Sequence, residues 1–436
     1  MKRALVIGLD GVPAGLLKKL IDRGLMPQTG SLLQGAAFFT IPSTIPPLSS
    51  VAWTTVLTGT NPGEHGIFGF VELDPLTYRY KVNALYDVKA PLLWDMLGSA
   101  GKRCAFLNVP ATYPAPPVNG ILVSGFVAPE LERAVWPRAL SGKLRKWGYR
   151  VDVDAKLAHR EPEAFLRHLN TCLERRRPLI RYVLESGAWD FAMVVFTETD
   201  RLLHFFYDAV EDPAHRFHST ANSFFETLDE AVAETEKSFG RYDLLVMLSD
   251  HGFGRLRFEV YTNMVLEELG FAGFADPSSG DLTSLEPQSR AFALDPARIY
   301  VHLEGRFARG SVKEADRVVN ELAKELSAFS IEGRRAVRRV FRRSELYRGG
   351  QVEAAPDLVV LGSPGLDWKG RVGTGKLCAQ TVFTGYHTQP DAFLAVTPPP
   401  DTGLLQEPDL TSVVPLVLSA LGVDPPGLSR RSQAWV

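Results

Sequence analysis

Cysteine is scarce in this chain. Its 436 residues hold three, Cys104, Cys172 and Cys378, far apart and without a C-x-x-C pair. That argues against a disulfide framework and fits a reducing compartment. Long apolar runs are missing too: no stretch reaches the roughly 18 residues of a membrane span. At the N-terminus, Ala4–Leu9 is too short for the apolar region of a signal peptide and leads straight into Asp10. Neither sign of charge dominates. The net charge of −2 gives no reason to expect a nucleic-acid polymer or a membrane surface as partner. Internal repeats and low-complexity segments are lacking as well. The expectation is a cytoplasmic protein.

What is present is an ordinary globular composition, 45% hydrophobic and 22% charged, in a chain long enough to bury a large core. Continuous apolar runs recur at Ala4–Leu9, Cys104–Val109, Phe191–Phe196, Leu244–Leu248, Leu358–Leu361 and Phe393–Val396. Such runs read as strands buried on both faces. Helical segments lie between them, among them Val51–Leu57, Pro178–Glu185, Ser223–Phe239 and Leu410–Leu421. The alternation predicts an α/β fold, a mostly parallel sheet with helices on both faces.

Two stretches break the alternation. Residues 130–175 are charged and carry Trp136 and Trp147. Residues 266–350 contain a polar loop over 275–289, a strand-like Arg298–His302 and a helical Val312–Phe329. Both are expected to be insertions, the second cap-like, on a core formed by 1–129, 176–265 and 351–436. Within the second, the pairs Arg334-Arg335, Arg338-Arg339 and Arg342-Arg343 recur every four residues. That spacing predicts a helix with a basic stripe, either a solvated face or a cap that attracts an anionic substrate.

Three acidic residues, Asp10, Asp200 and Asp250, each follow an apolar run. Ligands in open parallel sheets collect beyond the carboxyl ends of strands, so the three carboxylates should converge on one edge. Asp200 and His204, four residues apart, share a helical face. Asp250 and His251 are adjacent, which suits a loop wrapped around an ion. His387 precedes another apolar run in Gly385-Tyr386-His387. Singly, each has a plain structural use, as a turn former, a helix-start residue or a loop histidine. Together they are Asp oxygens and neutral His nitrogens, the ligands of a zinc-type ion, in greater number than one ion needs. The set reads as a two-metal hydrolase site. Upstream of Val51, Ser49 and Ser50 are placed to cap a helix. A serine there also gains from free N–H groups and the positive helix end, which suit a bound phosphate.

These motifs resemble the alkaline phosphatase superfamily, and within it the type I phosphodiesterase/nucleotide pyrophosphatase branch. The residues that carry the resemblance are Gly8–Gly11, Ser49–Ile67 with Thr58-Gly59-Thr60-Asn61-Pro62-Gly63-Glu64-His65-Gly66-Ile67, then Asp200–His204, Asp250–His251 and Gly385–His387. The resemblance implies an alkaline-phosphatase-like three-layer core with inserted cap segments. It implies one cation held by Asp200, His204 and His387, and a second by Asp10, Asp250 and His251. Counting back from Thr58-Gly59, the family nucleophile falls on Ser49. Val51 stands where the family often has proline, whereas Thr44 has Pro46 at that offset and is the second candidate. His65 is expected to shape its loop. The implied cofactors are two divalent ions, Zn²⁺ foremost and Mn²⁺ also tolerated.

The implied activity is hydrolysis of a small-molecule phosphate ester, of phosphodiester or nucleotide pyrophosphate type, through a phosphoseryl intermediate. Two cations about 4 Å apart can bind the attacking and leaving oxygens of such a displacement. A phosphonate hydrolase, phosphomonoesterase or phosphomutase of the same superfamily is the alternative, followed by a non-catalytic ligand-binding relative. One departure concerns the substrate. Nucleotide-cleaving members usually carry an Asn just after the His-Gly-Ile segment, and this chain reads Phe68-Gly69-Phe70.

Overall fold

A computed structural model describes residues 2–400 and 405–424; parts of the expected third core segment, 401–404 and 425–436, lie outside the described residues. The chain divides into two compact units. The first comprises Met1–Thr60, Ala84–Phe253 and Phe383–Val436, the second Asn61–Asn83 and Gly254–Val382.

The first unit is built on an eight-stranded sheet. Across it run Ala37–Ile41, Ala392–Thr397, Leu244–Leu248, Ala4–Leu9, Phe191–Phe196, Cys104–Val109, Gly120–Ser124 and Val135–Trp136. Five neighbours, from Leu244–Leu248 to Gly120–Ser124, pair in parallel, whereas Ala392–Thr397 and Val135–Trp136 run antiparallel to their partners. Ala4 sits level with both Leu244 and Phe191, so the central three strands end together at Leu9, Leu248 and Phe196.

Strand alternation sorts the apolar runs onto two faces. Leu5, Ile7, Leu9, Val194 and Met247 enter one core, covered by the helices Ala14–Asp22, Pro162–Glu185 and His218–Phe239. Ala4, Val6, Met193, Val195 and Val246 enter the other, covered by Ser49–Thr58, Leu93–Ser99 and Val413–Leu421. The result is the three-layer α/β architecture expected from the alternation. Segment 130–175 contributes Leu140, Leu144, Tyr149 and Phe165 to the first of these cores. No helix among the described residues is long and apolar enough to cross a membrane.

The second unit holds an antiparallel sheet of Ala291–Leu294, Arg298–Val301, Leu358–Gly362 and Val337–Arg342, with Ala315–Ala328 packed on it. Leu358–Leu361 is thus a strand, as its apolar run suggested, but of this sheet and not of the central one. A short apolar run says that a strand is buried and nothing about its neighbours. The arginine run is a correction. It forms the strands Arg334–Arg335 and Val337–Arg342, with helix only from Arg343 to Leu346. Glu332 and Gly333, both at positive φ (51° and 72°), make a two-residue turn that pairs Ile331 with Arg334. That geometry starts a hairpin. Buried Val337 and Phe341 then hold the following strand against Leu358–Gly362.

Candidate metal centre

Each carboxylate stands just past a strand of the central sheet: Asp10 after Leu9, Asp250 after Leu248, and Asp200 on the first turn of the helix Glu198–Glu211 that follows Phe196. His204 is one turn further along that helix, and His387 lies on the short strand Gly385–Thr388. The fold brings all six together. His387 Nε2 is 2.9 Å from Asp200 Oδ1 and 2.9 Å from His204 Nε2, and His204 Nε2 is 3.4 Å from Asp200 Oδ1. The ring of His251 stacks on His387 with centroids 3.7 Å apart. His251 Nε2 in turn lies 3.3 Å from Asp250 Oδ2 and 3.7 Å from Asp10 Oδ1. Ser49, first residue of the wholly buried helix Ser49–Thr58, places Oγ 3.1 Å from the same His251 nitrogen.

Surrounding groups decide which atoms face inward. His387 Nδ1 is 3.0 Å from the Pro47 carbonyl and His251 Nδ1 is 3.1 Å from the Gly252 carbonyl. A carbonyl only accepts, so each Nδ1 is placed to donate there, which turns each Nε2 toward the carboxylates, the orientation a metal ligand needs. Trp53 Nε1–H donates to Asp10 Oδ2 and the Gly11 N–H to Asp250 Oδ1, both at 3.0 Å. The second oxygens, Asp10 Oδ1 and Asp250 Oδ2, are buried and accept no hydrogen bond among the described residues. These two orphaned oxygens face His251 Nε2.

Two glycines make this possible. Gly8 has no Cβ, and one there would lie 2.4 Å from the Trp53 ring, which crosses the strand to reach Asp10. Gly11 adopts φ of +70°, and a Cβ would press on Phe253 at 2.7 Å and His251 at 3.1 Å.

The electrostatics match. Burial pushes the Asp10 carboxyl well above the usual carboxylate range, and Asp250 and Asp200 nearby push it further. Burial likewise raises Asp250 to about 7. For Asp200, burial works upward, but His204 and His387 together hold the group well below its ordinary value. Burial lowers His251 strongly, with His387 adding to the effect, and burial also lowers His204. Two imidazoles lowered by burial, His204 and His251, and crowded carboxylates with unpaired oxygens form a donor set deficient in positive charge. Asp and His donors in this proximity fit divalent cations, and the groups Asp10–Asp250–His251 and Asp200–His251–His387 each have ligand atoms within 4.8 Å of one another.

The other sequence candidates lie elsewhere in the chemistry. Thr44 is buried with its hydroxyl donating to the Pro46 carbonyl at 2.9 Å. His65, in the second unit, is fully buried, accepts from the Ile67 N–H at 3.2 Å, and is lowered by burial to about 3. It holds its own loop. Phe68, where the Asn was sought, is core, packed edge-on to Tyr347 with centroids 5.1 Å apart. Sequence reasoning gave no role to Trp53, Arg201 and Asp152, which hydrogen-bond to Asp10, Asp200 and Arg201 respectively. An indole after the Ser49-Ser50 step was the one available hint.

A model of the type I phosphodiesterase/nucleotide pyrophosphatase family matches residues 4–387, a span that takes in all seven site residues. No curated protein matches the chain. Among solved structures, phosphonoacetate hydrolase from Sinorhizobium meliloti 1021 in complex with phosphonoacetate is similar with a TM-score of 0.66 at 18% identity, covering 96% of each chain. Murine ectonucleotide pyrophosphatase/phosphodiesterase 5 in complex with AMP gives 0.60 at 13% identity, over 100% of this chain and 98% of the other. At such identities the likeness is one of fold.

Proposed function

This chain belongs to the type I phosphodiesterase/nucleotide pyrophosphatase family, a family of metal-dependent hydrolases of phosphoric esters, and from that premise we propose that it cleaves a small phosphate ester by attack of Ser49 on phosphorus beside two divalent cations. The observation that carries the proposal is the position of Ser49 Oγ, 3.1 Å from His251 Nε2, at the edge of six converging Asp and His side chains. Asp200, His204 and His387 would hold one cation, and Asp10, Asp250 and His251 the other. Zn²⁺ suits this mixed oxygen and nitrogen set, and Mn²⁺ is also accommodated. Cations so held supply Lewis acidity, which lowers the pKa of a nearby hydroxyl and neutralises phosphoryl charge.

The protein's own groups do the rest. Ser49 begins a helix, so backbone N–H groups and the positive helix end sit where phosphoryl oxygens gather. Its oxygen forms the O–P bond as the bond from phosphorus to the leaving oxygen breaks, and the departing alcohol takes up a proton. Water then cleaves the serine ester, restoring the hydroxyl and releasing the phosphate product. Three carboxylates against two dications leave one positive charge, which favours a monoanionic diester. The side-chain amide donor of nucleotide-cleaving relatives is replaced by Phe68. That favours a non-nucleotide ester and keeps a phosphonate ester in view.

The test is a chromogenic panel of phosphate monoester, phosphate diester, phosphonate ester and sulfate ester, run on metal-loaded protein. Turnover of the diester is expected. Ser49→Ala should lower it on the order of 10³-fold or more, and Thr44→Ala should retain most of it. The reverse pattern would move the nucleophile to Thr44. No cleavage of any phosphorus ester would end the reading.

A further inference from the structure

Asp200 turns only one of its oxygens toward the histidines. Oδ1 lies 2.9 Å from His387 Nε2, whereas Oδ2 accepts from the Arg201 guanidinium, with Nη1 at 3.2 Å. Adjacent residues of a helix do not face each other. Arg201 therefore meets Asp200 only because something outside the helix bends it back. Asp152 does so in a fork, taking Nε on Oδ1 at 3.0 Å and Nη2 on Oδ2 at 2.8 Å. The Phe126 ring, 4.1 Å from the guanidinium carbon, supports the opposite side. Arg201 is mostly buried, and Asp152 lies in the 130–175 stretch, which bore no motif of its own.

We propose that Asp152 and Arg201 form an outer clamp that sets the cation affinity of the Asp200–His204–His387 group, with Arg201 as the positioning residue. The inference rests on reading that group as a cation site. The fork fixes the guanidinium in two directions, as bidentate pairs do. The guanidinium then fixes the carboxylate torsion, so that Oδ1 is the oxygen presented beside His387 and His204. Two effects oppose each other here. A positive charge next to a cation site weakens binding, so on charge alone its removal should tighten the site. Asp152 already offsets that charge, leaving geometry as the larger effect. Partners of this kind are worth about 10- to 100-fold in metal affinity.

The experiment uses the full chain, stripped by chelator and titrated calorimetrically with Zn²⁺ and separately with Mn²⁺. Wild type is compared with Arg201→Met, Arg201→Lys and Asp152→Asn, and the thermal midpoint of each cation-free protein is recorded. Wild type is expected to bind two cations. Arg201→Met should weaken one of them by about 10- to 100-fold and leave the other unchanged. Arg201→Lys keeps the charge but not the fork and should not restore affinity; Asp152→Asn should act in the same direction by less. Should Arg201→Met fail to fold, the part-exposed Asp152→Asn decides by the same criterion. Two wild-type-like or tighter sites in the variants, or full recovery with lysine, would overturn the clamp alone. A wild type that binds no cation would overturn the cation reading and the clamp with it.

Discussion

Trp53 and Asp10 show how much of this site depends on single atoms. Among the described residues the indole N–H donates to Asp10 Oδ2 at 3.0 Å, and Asp10 is 2% exposed. Trp53→Phe keeps most of the apolar bulk and deletes the donor, leaving a buried carboxylate oxygen unsatisfied. The expected cost is about 1–3 kcal/mol in the cation-free protein, read by urea unfolding, with little change in the slope of the transition. The candidate ligands were legible in the sequence because the three carboxylates follow apolar runs, His204 and His251 stand close behind two of them, and His387 precedes a further run. Trp53, Arg201 and Asp152 were not. Trp53 reaches Asp10 across 43 residues of sequence and Asp152 reaches Arg201 across 49, and Arg201 meets its neighbour Asp200 only because Asp152 bends it back, so no local pattern signals any of the three.

Behind the cluster, two helices are locked by charge. Arg176, on the helix Pro162–Glu185, donates Nε at 2.9 Å and Nη2 at 2.5 Å to Glu198 Oε1, and both side chains are 1% exposed. Tyr149 accepts from Arg176 at 3.0 Å and donates to Asn108, which is tied to Val195 and Thr197. Glu198 opens the helix that carries Asp200 and His204, so this network braces the ligand helix against the sheet. Arg176→Met strands a buried carboxylate and should cost about 3–5 kcal/mol by chemical denaturation. The double variant Arg176→Met/Glu198→Leu should recover much of that loss. At this scale the sequence was readable wherever period and turn chemistry agreed. The central strands and the helix bearing Asp200 and His204 follow from apolar runs and an i, i+4 pair. The arginine run misled because pairs four residues apart mimic a helical stripe, while the deciding feature was the turn at Glu332 and Gly333 that precedes it.

For the whole molecule, the six candidate ligands come from segments as far apart as Asp10 and His387, and cations would tie these segments to one another. A ligand that binds the folded chain alone stabilises it by mass action, about 2.7 kcal/mol at 100 times the dissociation constant. Chelation should therefore lower the thermal midpoint. Zn²⁺ or Mn²⁺ should restore it in proportion to the logarithm of free cation, and a midpoint indifferent to both would show that no cation joins these segments. The sheet topology explains why sequence could foresee the meeting point: parallel strands that end in register deliver whatever follows them to one edge. It could not foresee that His251 would lie between both carboxylate groups, since this depends on its ring stacking on that of His387, from a strand distant in sequence.

Ser49 Oγ is the atom proposed to take phosphorus. The most direct test is acid quenching of the metal-loaded enzyme during turnover of a phosphodiester, followed by mass spectrometry of the peptide spanning Thr44 and Ser49. A substrate-derived phosphoryl group on Ser49 is the predicted result. A phosphoryl group on Thr44 or another residue, or a bare peptide under conditions that trap the adduct on a control serine hydrolase, would contradict it.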